Sequence, residues 1–214
     1  MRLRRRQLLA LGTGAGPGES AHLVNPGIDL ETHITDVSRV IEFEELSDVI
    51  LVGYSYAGYV VAGVADRLPR KIKRLIYLDA FLPVTGTDFF SNIPPPQLQE
   101  VMSSLVEGYL VPAFSPEKFG VLPVESEEWR WVKRRLTPQP VATFQTVLTL
   151  SDAIDEVQKT YIRCAPDMAP EADPVHLTIK DSAGWRYRQL ATTHDAMVLA
   201  PQALALLLLE ESAA

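Results

Sequence analysis

The segment Val49-Ile-Leu-Val-Gly53-Tyr-Ser55-Tyr-Ala57-Gly58 runs a continuous apolar stretch directly into a cluster of small residues around one serine. An uninterrupted apolar run of this length, ended by glycine, reads as a strand buried on both faces, the kind found in parallel sheets covered by helices. The Ala- and Val-rich stretch from Tyr56 to Leu68 stops at Pro69 and reads as a helix, and Arg74-Leu-Ile-Tyr-Leu-Asp79 repeats the buried-strand pattern. A strand, helix and strand in this order make a right-handed crossover, so the chain is expected to build an α/β fold with a mostly parallel sheet and helices on both faces. Leu30–Glu45 has roughly helical spacing of Ile34, Val37, Val40, Ile41 and Phe43; Lys159–Cys164 and Gly184–Leu190 read as further strands, and Pro201–Glu211 as a closing helix.

Between the strands the texture changes. Residues 82–136 carry Pro94-Pro-Pro96 and many aromatics, among them Phe89, Phe90, Tyr109, Phe114, Phe119, Trp129 and Trp131. This stretch is read as an insertion with helical pieces near Gln97–Glu107 and Ser126–Arg135, lying as a cap over the sheet's C-terminal edge.

Serine at the apex of a strand-turn-helix is the geometry of a nucleophile elbow, in which the residues two before and two after it must be small. Gly53 and Ala57 meet that requirement, and Gly58 lets the helix approach the sheet. A serine in this place also serves as a helix cap, which is the bland alternative. A serine hydroxyl near neutral pH is a poor nucleophile without a base and a group to orient that base. Of the four histidines, His22 and His33 precede Ser55, His176 lies in a Pro/Asp-rich loop, and His194 follows the last strand. Chain order favours His194 as base, with His176 its rival. Asp167, just past the strand Lys159–Cys164, is the first choice of acid; Asp79 is the alternative, and Asp173 and Asp181 are weaker candidates. The backbone amide of Tyr56 is the expected oxyanion donor.

The 214 residues have a formal net charge of -7 and no concentrated basic face after residue 6, which argues against nucleic acid as a partner. The single cysteine, Cys164, cannot form an internal disulfide, and a cytoplasmic setting is expected. Gln7–Leu11 is too short for a secretory apolar region and Ala203–Leu209 too short for a membrane span.

Taken together, Glu19–Leu23, Leu30–Val37, Val49–Tyr56, Tyr77–Pro83 and Thr192–Met197 resemble the esterase branch of the α/β-hydrolases, which includes plant methylesterases, hydroxynitrile lyases and small bacterial esterases. The resemblance runs from about Gly16 to the C-terminus. It implies an α/β-hydrolase domain over residues 16–214 with Ser55, Asp167 and His194 as the triad, and no metal or cofactor. The expected substrates are small, largely apolar carboxylic esters cleaved through an acyl-enzyme. Two positions depart from the pattern: Tyr54 stands where the family usually has histidine, and Asp195 where the lyases carry a lysine, which disfavours cyanohydrin cleavage. Family members also begin with a strand ending in a His-Gly loop, a helix and another strand, ahead of the segment matched by Gly16–Glu19. Residues 1–15 show no such pattern, so the fold is expected to be N-terminally incomplete, with strand 49–53 left as an open edge available for self-association. A truncated or degenerate hydrolase that only binds ligand is the competing expectation.

Overall fold

A parallel sheet in the order β1-β2-β3-β6-β7 organises the chain in the computed structural model, which describes residues 8–12, 18–113, 125–167 and 169–213. Strand β1 (Leu8–Gly12) is followed by helix α1 (Leu30–Phe43), whose N-cap Asp29 accepts from the Thr32 amide in a capping box. Strand β2 (Val49–Tyr54), helix α2 (Ala57–Arg67) and strand β3 (Ile72–Leu78) form the predicted crossover.

The cap segment follows. It holds a short 3-10 turn at Phe89–Asn92, helix α3 (Pro95–Ser103), strand β4 (Leu110–Val111), helix α4 (Glu127–Lys133), strand β5 (Gln139–Pro140) and the single turn α5 (Ala142–Gln145). Both predicted helices are present, though α3 ends four residues earlier than expected, and β4 and β5 add an antiparallel ribbon that no periodicity announced. Phe114 and Phe119, with the rest of residues 114–124, lie outside the described residues. The chain returns to the sheet as β6 (Gln158–Cys164), continues through helix α6 (Pro174–Ile179) to β7 (Trp185–Leu190), and closes with α7 (Ala196–Leu199) and α8 (Pro201–Ala213).

Strand alternation divides the core into two layers. Val49, Leu51, Leu75, Tyr77 and Tyr161 pack with α1 and α2 on one face. Ile50, Val52, Tyr54, Ile76, Leu78 and Ile162 pack with Leu204, Leu207 and Leu208 of α8 on the other. Because both faces are covered, Val49–Val52 of β2 and Leu75–Leu78 of β3 read as unbroken apolar runs.

The expectation of an open edge at strand 49–53 is corrected by β1. Leu8–Gly12 pairs in parallel with Ile50–Tyr54, so β2 is an interior strand and the edge of the sheet lies one strand further out. The run Leu8-Leu-Ala-Leu-Gly12 is short and ends in a glycine-rich stretch, which hid a strand behind the look of an abortive export signal. It occupies the place, just ahead of Gly16–Glu19, where the family resemblance calls for a strand. Among the described residues no helix is long and apolar enough to cross a membrane.

Candidate active site

Ser55 sits at the sharp turn between β2 and α2 with φ 54, a left-handed conformation that non-glycine residues seldom adopt. Three backbone hydrogen bonds hold it there: the Ser55 amide donates to the Leu78 carbonyl (3.4 Å), and its carbonyl accepts from the amides of Gly58 (3.1 Å) and Phe81 (3.2 Å). The small residues around it are required by contact. A Cβ at Gly53 would lie 2.5 Å from Val61 Cγ2 and 2.7 Å from the Ala57 carbonyl oxygen, and one at Gly58 would lie 2.2 Å from the Phe81 carbonyl oxygen. Ala57 is fully buried in the same junction. The Tyr56 amide has no acceptor among the described residues and stands at the N-terminus of the eleven-residue α2, where unpaired N–H groups and the helix dipole favour negative charge.

The carboxylate beside His194 belongs to Asp79. His194 Nδ1 and Asp79 Oδ2 are 2.7 Å apart, with both side chains largely buried. Asp79 follows β3 directly, has φ 43, and its amide donates to the Ile162 carbonyl at 2.8 Å. Its other oxygen, Oδ1, accepts from the Cys164 amide at 3.1 Å and lies 3.4 Å from Arg163 Nη1. Asp167, the first-choice acid of the sequence reading, is not at this position. The β6 ladder carries on through the Ala165 amide, which donates to Leu190, and Pro166 then turns the chain outward, leaving Asp167 exposed.

Ser55, Asp79 and His194 line one cavity of about 540 Å³. Its apolar wall comes from Phe81, Leu82 and Val84 after β3 and from Pro174 and Val175 of α6; Asn92 and Arg163 supply polar groups. The size is that of a small-molecule site. Beside it, the segment between β3 and β6 packs on the elbow: the Tyr56 ring meets Phe144 at 5.0 Å and Phe89 at 5.8 Å, and its hydroxyl donates to the Thr143 carbonyl (3.2 Å). Trp129 of α4 packs against Val198 of α7, so the cap also touches the helix that follows His194.

The other candidates have separate places. His176 packs edge-on against Tyr187 at 4.6 Å and does not line the cavity. Asp173 is fully buried, caps α6 through the Val175 amide, accepts from the Tyr187 hydroxyl (2.8 Å) and faces Arg163 Nε at 3.5 Å. Asp181 and His22 are exposed. His33 lies 3.3 Å from the Tyr56 hydroxyl; burial lowers its pKa, with Asp36 and Asp29 pulling the other way. Burial and the nearby Asp79 push the Cys164 thiol up to about 12, so it stays neutral beside the carboxylate.

Two features escaped the sequence reading. Arg163 bridges Asp79 and Asp173; the signal was a charged residue between Ile162 and Cys164 near the end of a buried strand. Tyr54 lies under His194 and donates to Asp195, a long-range contact that no local pattern encodes.

Comparison with known proteins agrees with this architecture. Residues 5–205 match the alpha/beta hydrolase family. A carbendazim hydrolyzing esterase of Nocardioides sp. (strain SG-4G) is 36% identical over 201 residues, covering 90% of this chain and 83% of that protein. Methylesterase 8 of Arabidopsis thaliana is 29% identical over 130 residues, covering 51% of this chain and 46% of that one. Among solved structures, an extracellular alpha/beta-hydrolase from a Paenibacillus species superposes with a TM-score of 0.71 at 19% identity, covering 88% of this chain and 81% of the other. Tomato methylketone synthase I superposes at 0.70 with 15% identity, over 93% and 84%. The strand-elbow-helix around Ser55, the parallel sheet behind it and the match along nearly the whole chain lead to one conclusion: the chain belongs to the alpha/beta hydrolase family.

Proposed function

We propose that the chain is a serine hydrolase of small, largely apolar carboxylic esters, with Ser55 as nucleophile, His194 as general base, Asp79 as the acid that orients it and the Tyr56 amide as an oxyanion donor. The observation that carries the reading is the 2.7 Å contact between Asp79 and His194 on the cavity that Ser55 also lines. In acylation, His194 Nε2 takes the Ser55 proton as Oγ attacks the ester carbonyl, then returns it to the departing alcohol; a water repeats the sequence to release the acid. Asp79 fixes the tautomer by accepting from Nδ1–H and stabilises the imidazolium as it forms. Arg163, 3.4 Å from Oδ1, holds that carboxylate in place from the side away from His194. The apolar wall of Phe81, Leu82, Val84, Pro174 and Val175 suits an apolar acyl or alcohol group. The carbendazim-hydrolysing relative makes carbendazim a compound to assay beside simple esters.

The test is p-nitrophenyl acetate hydrolysis by the wild type and by Ser55→Ala, Asp79→Asn and Asp167→Asn. Ser55→Ala is expected to lose the enzymatic rate and Asp79→Asn to lose on the order of 10⁴ in kcat, with Asp167→Asn within about twofold of wild type, as for an exposed surface change. Equal rates in wild type and Ser55→Ala would refute the reading. Loss in Asp167→Asn with Asp79→Asn intact would move the acid role to Asp167. The competing reading is a ligand-binding module without chemistry. It predicts no difference between wild type and Ser55→Ala.

A further inference from the structure

We propose that Tyr54 and Asp195 form a positioning pair that fixes the His194 imidazole, an assignment that rests on His194 being the base. The Tyr54 hydroxyl donates to Asp195 Oδ1 at 2.8 Å, joining the last residue of β2 to the residue directly after His194. The Tyr54 ring lies against the imidazole with centroids 4.5 Å apart and planes tilted by 38°. His194 is thus held on two sides: Asp79 engages Nδ1, and Tyr54 supports the ring face.

Asp195 shows by what it does not do that its side chain serves this contact. It is the N-cap residue of α7, a place where aspartate ordinarily accepts from the first free amides of the helix. Here it makes no such bond; its carboxylate is turned to Tyr54 instead. The backbone around it is already tied, with the Ala196 amide donating to the His194 carbonyl (3.0 Å) and the Val198 and Leu199 amides to the Asp195 carbonyl (2.9 and 3.0 Å). The side-chain bond therefore adds a tether from this turn to the strand that carries Ser55. Since Tyr54 is buried in the α8 face of the core and adjoins Ser55 in sequence, nucleophile and base are referenced to the same rigid residue. A base that must stay within hydrogen-bond reach of its nucleophile is where such referencing has most effect. Tyr54 stands where the family usually has histidine, Asp195 where the lyases carry a lysine, and in the fold the two touch.

Three variants separate the parts. Tyr54→Phe keeps the ring and removes the hydroxyl, Asp195→Ala removes the acceptor, and Asp195→Asn restores a neutral acceptor. Tyr54→Phe and Asp195→Ala are expected to lower kcat for p-nitrophenyl acetate about tenfold, the scale of one hydrogen bond to a charged group, with KM unchanged within about twofold, the signature of a contact that acts on the reacting geometry. Asp195→Asn should recover most of the Asp195→Ala loss. The double variant Tyr54→Phe/Asp195→Ala should be no slower than the slower single one, because both remove the same bond. Wild-type kcat in the two single variants, or a double variant slowed by the product of the single losses, overturns the proposal.

A second readout does not depend on turnover: the low-field Nδ1–H proton resonance of the imidazole, assigned by its loss in His194→Gln. It should broaden into exchange with water in Tyr54→Phe and Asp195→Ala and persist in Asp195→Asn; an unchanged resonance in the first two overturns the pair. Equal hydrolysis by wild type and Ser55→Ala would instead defeat the serine-hydrolase reading, and the resonance still judges the tether.

Discussion

Gly58 offers the sharpest test of how the elbow is held. In Gly58→Ala the new Cβ would lie 2.2 Å from the Phe81 carbonyl oxygen and 3.1 Å from Ala80 Cβ. Carbon and carbonyl oxygen approach no closer than roughly 3.3 Å in ordinary contacts, so α2 and the segment after β3 must part by about 1 Å. Neither side yields freely. The Ser55 carbonyl accepts from both Gly58 and Phe81, so the parting strains both bonds and carries Ser55 and the Tyr56 amide with it. Overpacking of this kind costs about 1–3 kcal/mol, which for a chain of this size lowers the melting temperature by roughly 3–10 °C. A displacement of about 1 Å at a reacting centre costs on the order of 10² in rate. Thermal melts and p-nitrophenyl acetate kinetics read the two effects. Gly108→Ala is the control: φ is +76 and nothing lies within 4 Å of its added Cβ, so only local backbone strain of about 1 kcal/mol is introduced, with hydrolysis preserved. If Gly58→Ala kept wild-type kcat and melted no lower than Gly108→Ala, the contact between α2 and the β3 exit would not be what shapes the elbow.

Further outcomes follow from groups outside the chemistry. Glu211 is buried on α8, accepts from Thr160 Oγ1 at 2.9 Å, and lies 3.8 Å from the equally buried Arg74, with the half-exposed Arg186 and Arg188 at 3.7 and 3.3 Å. Glu211→Ala strands the Arg74 charge and should cost about 3–5 kcal/mol, read as a lower urea midpoint; Arg186 and Arg188, being screened by solvent, contribute little. Burial keeps His33 below its ordinary 6.5, so as pH falls through 6.5 the unfolded chain takes a proton that the native state refuses. Stability contributed above that pH is lost below it, at no more than about 1.4 kcal/mol per pH unit for one proton. Urea midpoints at pH 7.5 and 5.5 should therefore differ more in wild type than in His33→Gln. Cys164, buried and pushed up to about 12, should resist a thiol reagent such as DTNB at pH 8 in the native protein and react fully once unfolded; equal rates in both states would contradict its placement.

What the sequence made legible is what local chemistry encodes. Strand β2 and the Leu75–Leu78 half of β3 show as apolar runs, and the elbow shows because Gly53 and Gly58 meet contacts that exclude even a methyl group. Helix α1 shows through its apolar spacing. Strand β1 was hidden: five residues before a glycine-rich stretch carry too little pattern to tell a strand from an export-signal fragment. The cap ribbon was hidden for a similar reason, since two-residue strands have no period, and Pro140 in β5 argues locally against a strand. His194 was singled out as candidate base by chain order, whereas Tyr54–Asp195 and Arg163–Asp173 are long-range pairings that depend on register between strands and on how loops leave them.

The carboxylate that meets His194, proposed above as the acid, illustrates the last point. β3 and β6 are neighbouring parallel strands, so Asp79 and the segment reaching Asp167 leave the sheet at the same edge, the one from which Ser55 emerges. Chain order points to the later carboxylate, yet orienting an imidazole demands a carboxylate that is itself held. The end of β6 supplies the holding. The Ile162 carbonyl accepts from the Asp79 amide, the Cys164 amide donates to Asp79 Oδ1, and Arg163 places its guanidinium against the same oxygen. Those three consecutive residues leave Oδ2 as the oxygen that faces His194 Nδ1. Arg163 is in turn anchored by Asp173, whose carboxylate accepts from the Tyr187 hydroxyl and the Val175 amide of α6. Two strand ends and one helix start thus converge on a single oxygen, and the strand expected to present the acid instead provides the donors that hold it.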